Sequence, residues 1–268
     1  MKLAYPVATP EVRATIFGAA SASADMLLAL RDIGYGAIEP FVADPAAFDA
    51  DAWIRDVQRS GLAIAAIGTG PVVFDDHLAF THPAVSMRRA AIDRAKAIVR
   101  FAAQLDAQVN IGKLRGDIEA SAADQTRAWM RAAFEEVCGY AAEAGVIVTI
   151  EPQGRAVINN INTTAEALAW LRELAQPNLR LMLDVFHMEQ MGEDIAASFA
   201  AAHDVLLHVH FADTERRVPG AGSLDFHAVT KQLRAIGYDR AITVEVKQHP
   251  SVLEAARRSA SFLLPLIA

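Results

Sequence analysis

The chain holds a single cysteine, Cys138, so no internal disulfide can form, and a reducing, cytoplasmic setting is expected. Cys138 sits in the helical pattern EEVCGYAAEAG, where it reads as a small buried apolar residue rather than a nucleophile. No run of about 18 uninterrupted apolar residues is present, which argues against a membrane span. The opening MKLAYPVATP lacks a basic front followed by an apolar segment, so no secretory signal is expected. An excess of positive charge is also missing, with 25 Lys and Arg against 32 Asp and Glu. A net charge of −7 argues against a nucleic-acid partner, because phosphate binding wants a basic face. Pro/Gly/Ser-rich linkers and low-complexity segments are missing too, and PVATPEVRA after the first candidate strand carries no glycine-rich phosphate turn.

What is present is a recurring grammar. Val146 to Gly154 (VIVTIEPQG) stops on Glu151, and in Leu179 to Met188 (LRLMLDVFHM) the apolar run stops on Asp184, with His187 three residues later. Val205 to Asp213 (VLLHVHFAD) carries His208 and His210, and Ala241 to Val246 (AITVEV) carries Glu245. Each is an aliphatic run too short for a helix that delivers a metal-type ligand at its far end. Upstream, Leu3 to Val7, Tyr35 to Pro40, Leu62 to Ile67 and Gln108 to Ile111 read as four further strands. Helical patterns separate them, among them Asp25 to Gly34, Asp49 to Ser60, Pro83 to Leu105, Ala122 to Ala144 and Thr163 to Leu174. Pro71 to His82 is expected to be a long loop, able to act as a lid or substrate wall.

Eight strand-then-helix units over 268 residues predict one domain, residues 1–268, folded as a single (β/α)8 TIM barrel of the α/β class. A doubly wound open sheet is the rival, and the missing glycine-rich turn speaks against it. In a barrel strand alternate side chains point inward, so Glu151, Asp184, His210 and Glu245 face the axis at the carboxyl ends. Their spacings of 33, 26 and 35 residues each leave room for a helix and two loops. Three carboxylates at close quarters repel unless a cation joins them. One divalent ion is therefore expected, with Mn²⁺ first and Mg²⁺, Co²⁺ or Zn²⁺ compatible with three oxygens and one imidazole. His208, one layer deeper, reads as a core residue or a support for the ligands.

EPQGR, LDVFHM, HVHFADTERRVPGAGSLDF and TVEV, together with AIGTG and THPAVSMRRAAIDRA, resemble the sugar isomerase/epimerase superfamily of xylose-isomerase-like barrels. The likeness is to its branch of ketose 3-epimerases, keto-sugar-acid epimerases and hydroxypyruvate isomerases. That resemblance implies that Glu151, Asp184, His210 and Glu245 bind the metal. It implies that Glu151 and Glu245 act as acid and base through an enediolate, and that His187 and Arg216 contact substrate oxygens. The ketose epimerases carry a further glutamate six residues after the first ligand, where this chain has Val157. That change favours an anionic keto-sugar acid over a free ketose, with Arg115 or Arg216 reading a distal carboxylate and Lys113 beside them. A metal-dependent lyase, dehydratase or decarboxylase uses the same ligands and is the runner-up, followed by a barrel that only binds sugar. DNA-repair endonucleases of this fold need a larger histidine-rich cluster and a basic surface, and the chain offers neither. The family's habit implies a dimer or tetramer.

Overall fold

A computed structural model describes all 268 residues, Met1–Ala268. Eight parallel strands close on themselves, and helices cover the outside. The strands are β1 (Lys2–Ala8), β2 (Ala37–Phe41), β3 in two pieces (Ala63–Ile64 and Ile67–Gly68) and β4 (Val109–Ile111). They continue with β5 (Val148–Ile150), β6 (Leu179–Asp184), β7 (Leu206–Phe211) and β8 (Ala241–Val244). Each pairs in parallel with its sequence neighbour, and β1 closes the ring by pairing with both β2 and β8. This is the (β/α)8 barrel that the eight strand signals predict. The strands read as apolar runs because side chains on both faces are buried, inside the barrel and beneath the helices.

The helices are α1 (Ala24–Ile33), α2 (Ala50–Ser60), α3 (Gly70–Asp76), α4 (Val85–Ala103) and α5 (Ala123–Glu143). They are followed by α6 (Thr164–Leu174), α7 (Val185–Gln190), α8 (Ile195–Ala202), α9 (Phe226–Ala235) and α10 (Val252–Ile267). Ser23, Asp49, Thr163, Asp194, Asp225 and Ser251 each accept a backbone N–H at a helix start. Such caps contribute about 1 kcal/mol each. None of the helices is long and apolar enough to cross a membrane.

One local expectation is corrected. Pro71 to His82 is not one long loop. Gly70–Asp76 forms α3, with Pro71 at its start, where a missing N–H costs nothing, and Pro71 lies buried with Val72. The run LRLMLDVFHM divides where the sequence predicts. The strand stops at Asp184, whose Oδ1 accepts the Phe186 N–H at 2.9 Å and starts α7.

Candidate active site

The carboxyl ends of the strands open on a pocket of about 590 Å³ whose lining includes Glu151, His187, His210, Arg216 and Glu245. Glu151 and Glu245 each stand one residue past a strand. Their backbones stay in the ladder, with Glu151 N donating to Ile111 O (3.2 Å) and Glu245 N to Phe211 O (3.1 Å). Asp184 ends β6 in register with His210 of β7. A side chain at Gly112 would strike the Glu151 carboxylate, its Cβ falling 2.7 Å from Oε2, so glycine there leaves the carboxylate its space.

The ligating atoms fall into overlapping groups. Asp184, His210 and Glu245 bring one atom each within 4.8 Å of one another, and so do Glu151, Asp184 and His187. Asp184 is shared, so all four residues singled out by the strand grammar meet around it. A third group joins Glu39, His208 and His210. There Glu39 Oε2 lies 2.8 Å from Nε2 of both histidines. These are hydrogen-bond distances, and a carboxylate can only accept, so each Nε2 carries its proton toward Glu39. The third group is thus a hydrogen-bonded support.

That support decides what His210 offers. With Nε2–H held by Glu39, Nδ1 faces the carboxylates, 3.5 Å from Glu245 Oε2 and without a hydrogen bond. Asp184 Oδ2 is likewise buried without a hydrogen bond. An orphaned imidazole nitrogen and an orphaned carboxylate oxygen, flanked by Glu151 and Glu245, fit a divalent cation.

Arg216 supplies positive charge inside the protein. Its Nη1 donates to Glu245 Oε2 at 2.6 Å and lies 2.8 Å from Asp184 Oδ2, close enough for a charge pair though not aligned as a hydrogen bond. Nη2 lies 3.0 Å from His187 Nε2. Arginine only donates, so His187 Nε2 accepts and its proton sits on Nδ1, toward Gln190 Oε1. The Nε2 lone pair of His187 is therefore already engaged, which makes it a positioning group rather than a metal ligand. Burial, with Arg216 beside it, keeps His187 below its usual pKa against the pull of Asp184. Burial alone would also discharge His210, but Glu39 and Glu245 on either side outweigh it and hold the group well above its ordinary value, so without an ion Nδ1 keeps a proton that a bound cation would displace. Burial pushes the Glu151 carboxyl up to about 8, with Glu245 and Asp184 adding to it against His210 and Arg216.

Arg216 is held by its loop. Asp213, fully buried, accepts the backbone N–H groups of Thr214, Gly220, Gly222 and Leu224. Folding around that carboxylate places Glu215 and Arg216 at φ of 60° and 58°, a left-handed conformation that non-glycine residues adopt at a cost.

Arg115 corrects the expectation that it meets substrate. It is fully buried and does not line the pocket. Its donors go to Asn160 Oδ1 and to the carbonyls of Gly112, Glu151, Asn160 and Ile161, at 2.8–3.1 Å. Lys113 does line the pocket, and its ammonium is tied to the Val157 carbonyl. Glu39 is the site residue that sequence reasoning passed over. The signal was present, since β2 also runs into a carboxylate, but a lone acid before Pro40 lacked a partner in the sequence.

The profile of the xylose isomerase-like TIM barrel family matches residues 27–266. The ketose 3-epimerase of Arthrobacter globiformis is 29% identical over 219 residues, 80% of this chain and 74% of its own length. The 3-dehydro-D-guloside 4-epimerase of Escherichia coli (strain K12) is 37% identical over 105 residues, 39% of this chain and 40% of its own. Among solved structures, the 3-keto-D-glucoside 4-epimerase from E. coli has a TM-score of 0.81 at 19% identity, covering 99% of this chain and 100% of that one. That last likeness is one of fold.

Proposed function

The chain belongs to the xylose isomerase-like TIM barrel family, and within it we propose a divalent-metal-dependent epimerase of keto-sugars. The observation that carries this reading is the placement of two glutamates, Glu151 and Glu245, on one pocket around Asp184 and the orphaned Nδ1 of His210. The epimerases among its relatives support the same class of chemistry. Glu151, Asp184, His210 and Glu245 would hold the ion, for which Mn²⁺ suits the donors best and Mg²⁺, Co²⁺ or Zn²⁺ remain compatible. When bound, the ion would draw electron density from a sugar carbonyl and its neighbouring hydroxyl, acidify the C–H beside them and stabilise the enediolate.

The protein's own groups do the rest. One glutamate takes the proton from the carbon, and the other returns one on the opposite face. Arg216, between Asp184 and Glu245, holds the Glu245 carboxylate in place and offers its remaining donors to substrate oxygens. His187 fixes the plane of that guanidinium. With Arg115 spent on backbone carbonyls, Lys113 and Lys247 are the further cations on the wall that could read a sugar acid.

Product NMR in D₂O with a panel of keto-sugars tests the reading. Deuterium should enter at the carbon beside the carbonyl, and Glu151→Gln or Glu245→Gln should slow exchange about a hundred- to ten-thousand-fold. Release of carbon dioxide or water without epimerised product would favour a lyase instead. Metal analysis supplies the second arm, because Asp184→Ala protein retaining a full equivalent of metal would remove Asp184 from the ligand set.

A further inference from the structure

The exposed large hydrophobic residues are few, and the two aromatic ones among them, Phe17 and Phe74, both line the active-site pocket. Phe74 is 57% exposed and Phe17 40%. Phe74 projects from α3, whose buried Pro71 and Val72 anchor it to the barrel. Phe17 lies on the connection after β1. Arg13 laces these two segments together: its N–H donates to Asp75 Oδ2 at 2.8 Å and its Nη2 to the Asp75 carbonyl at 2.9 Å. Asp76, beside it, pairs with Arg94 at 2.6 Å. The segments that carry the two rings are thus tied together, and both rings add exposed apolar surface to the rim of a pocket, the kind of surface that marks ligand-binding grooves.

The aromatic wall continues inward to the chemistry. Gly70 lies between two rings of the wall, a Cβ there falling in ordinary contact with Phe74 at 3.8 Å and Phe41 at 3.9 Å. On the other side the Arg216 guanidinium stacks 5.3 Å from the Phe17 ring centre and 4.4 Å from that of Phe186. The same Arg216 bonds Glu245. The pocket, about 590 Å³, falls within the roughly 300–1,000 Å³ range of small-molecule sites that enclose drug-sized ligands, which leaves room beside a single sugar ring. A sugar held by its carbonyl and hydroxyl at the carboxylate floor leaves its far end at this mouth. The C–H face of a second ring is the complement of an aromatic plane.

Resting on the epimerase reading above, we propose that the substrate is a keto-sugar carrying a ring-bearing substituent, a keto-glycoside, whose second ring stacks on Phe74 and Phe17 at the pocket mouth. The outer rings select for the substituent, and the buried carboxylates act on the sugar.

The test uses metal-loaded protein in D₂O and three keto-hexose substrates: free, with a methyl aglycone, and with a sugar or phenyl aglycone. The ring-bearing substrate should exchange with kcat/KM at least ten-fold above the methyl one. Phe74→Ala should erase most of that gain, Phe17→Ala should reduce it, and Phe74→Trp should preserve it. Equal rates for free and ring-bearing sugars, or a gain that survives both alanine variants, would overturn the subsite. So would an equal loss on all three substrates accompanied by a change in sedimentation, which would assign Phe74 to contact with a second copy. Calorimetry of the same series on Glu151→Gln protein separates the two readings. A ring preference in binding with no exchange by the unaltered protein removes the epimerase chemistry and keeps the subsite, whereas exchange with no ring preference does the reverse.

Discussion

At the scale of single residues, Glu39 and Glu151 set the behaviour of the site. Glu39 fixes which nitrogen of His210 faces the carboxylates, so Glu39→Gln should weaken metal affinity about ten- to hundred-fold with the ligands themselves intact. Titration with Mn²⁺ after chelation reads this directly, and an unchanged affinity would remove Glu39 from the support. Glu151 gives a pH signature. Its folded-state pKa is raised from 4.5 to about 8, so the native protein holds this proton more tightly than the unfolded chain does. The associated stability is fully present below about pH 4.5 and is lost as the pH rises through about 8. In chelator, melting temperature should therefore fall across that interval by more for the unaltered protein than for Glu151→Gln, and a divalent cation should flatten the difference. Melting scans that coincide for the two proteins would contradict it. The proposed ligands stand out in the sequence because each carboxylate or imidazole closes an apolar run. Glu39 does not, because its partners lie 169 and 171 residues away and only the closed ring brings them to it.

At the scale of elements, Arg115 staples two connections together. It joins the turn after β4 to the segment after β5, where Ile161 holds a φ of 48° that a β-branched residue adopts only under constraint. Burial lowers its pKa to about 10, which leaves it charged at neutral pH. Arg115→Met should cost at least about 3 kcal/mol in urea unfolding, since several buried carbonyls lose a charged donor at once. Arg115→Lys should recover only part of this, because an ammonium cannot fork between Glu151 and Asn160. A surface-like loss below about 0.5 kcal/mol would contradict the buried geometry. The sequence showed a cation after a strand but gave no sign that five acceptors converge on it. α3 and α7 were hidden for a related reason. One starts on Gly-Pro, which reads as a turn, and the other continues an apolar run without a break in composition.

At the scale of the whole molecule, we propose that residues 1–268 form one cooperative unit. A single hydrophobic cluster of 64 buried residues runs from Leu3 to Ile267 without a gap along the chain that would mark a boundary. Calorimetry should show one transition, and two resolved ones would argue for separable halves. The hydrogen bonds from His208 and His210 to Glu39 also join distant parts of the chain. All four proposed ligands come from the second half of the chain, between Glu151 and Glu245, but the carboxylate that orients His210 comes from β2 in the first half. Long-range contacts of this kind form late, after local strand–helix units have docked. Refolding followed by stopped-flow far-UV circular dichroism should thus show helical signal recovering before tight metal capture, so that arrival of the ion keeps the clock for ring closure.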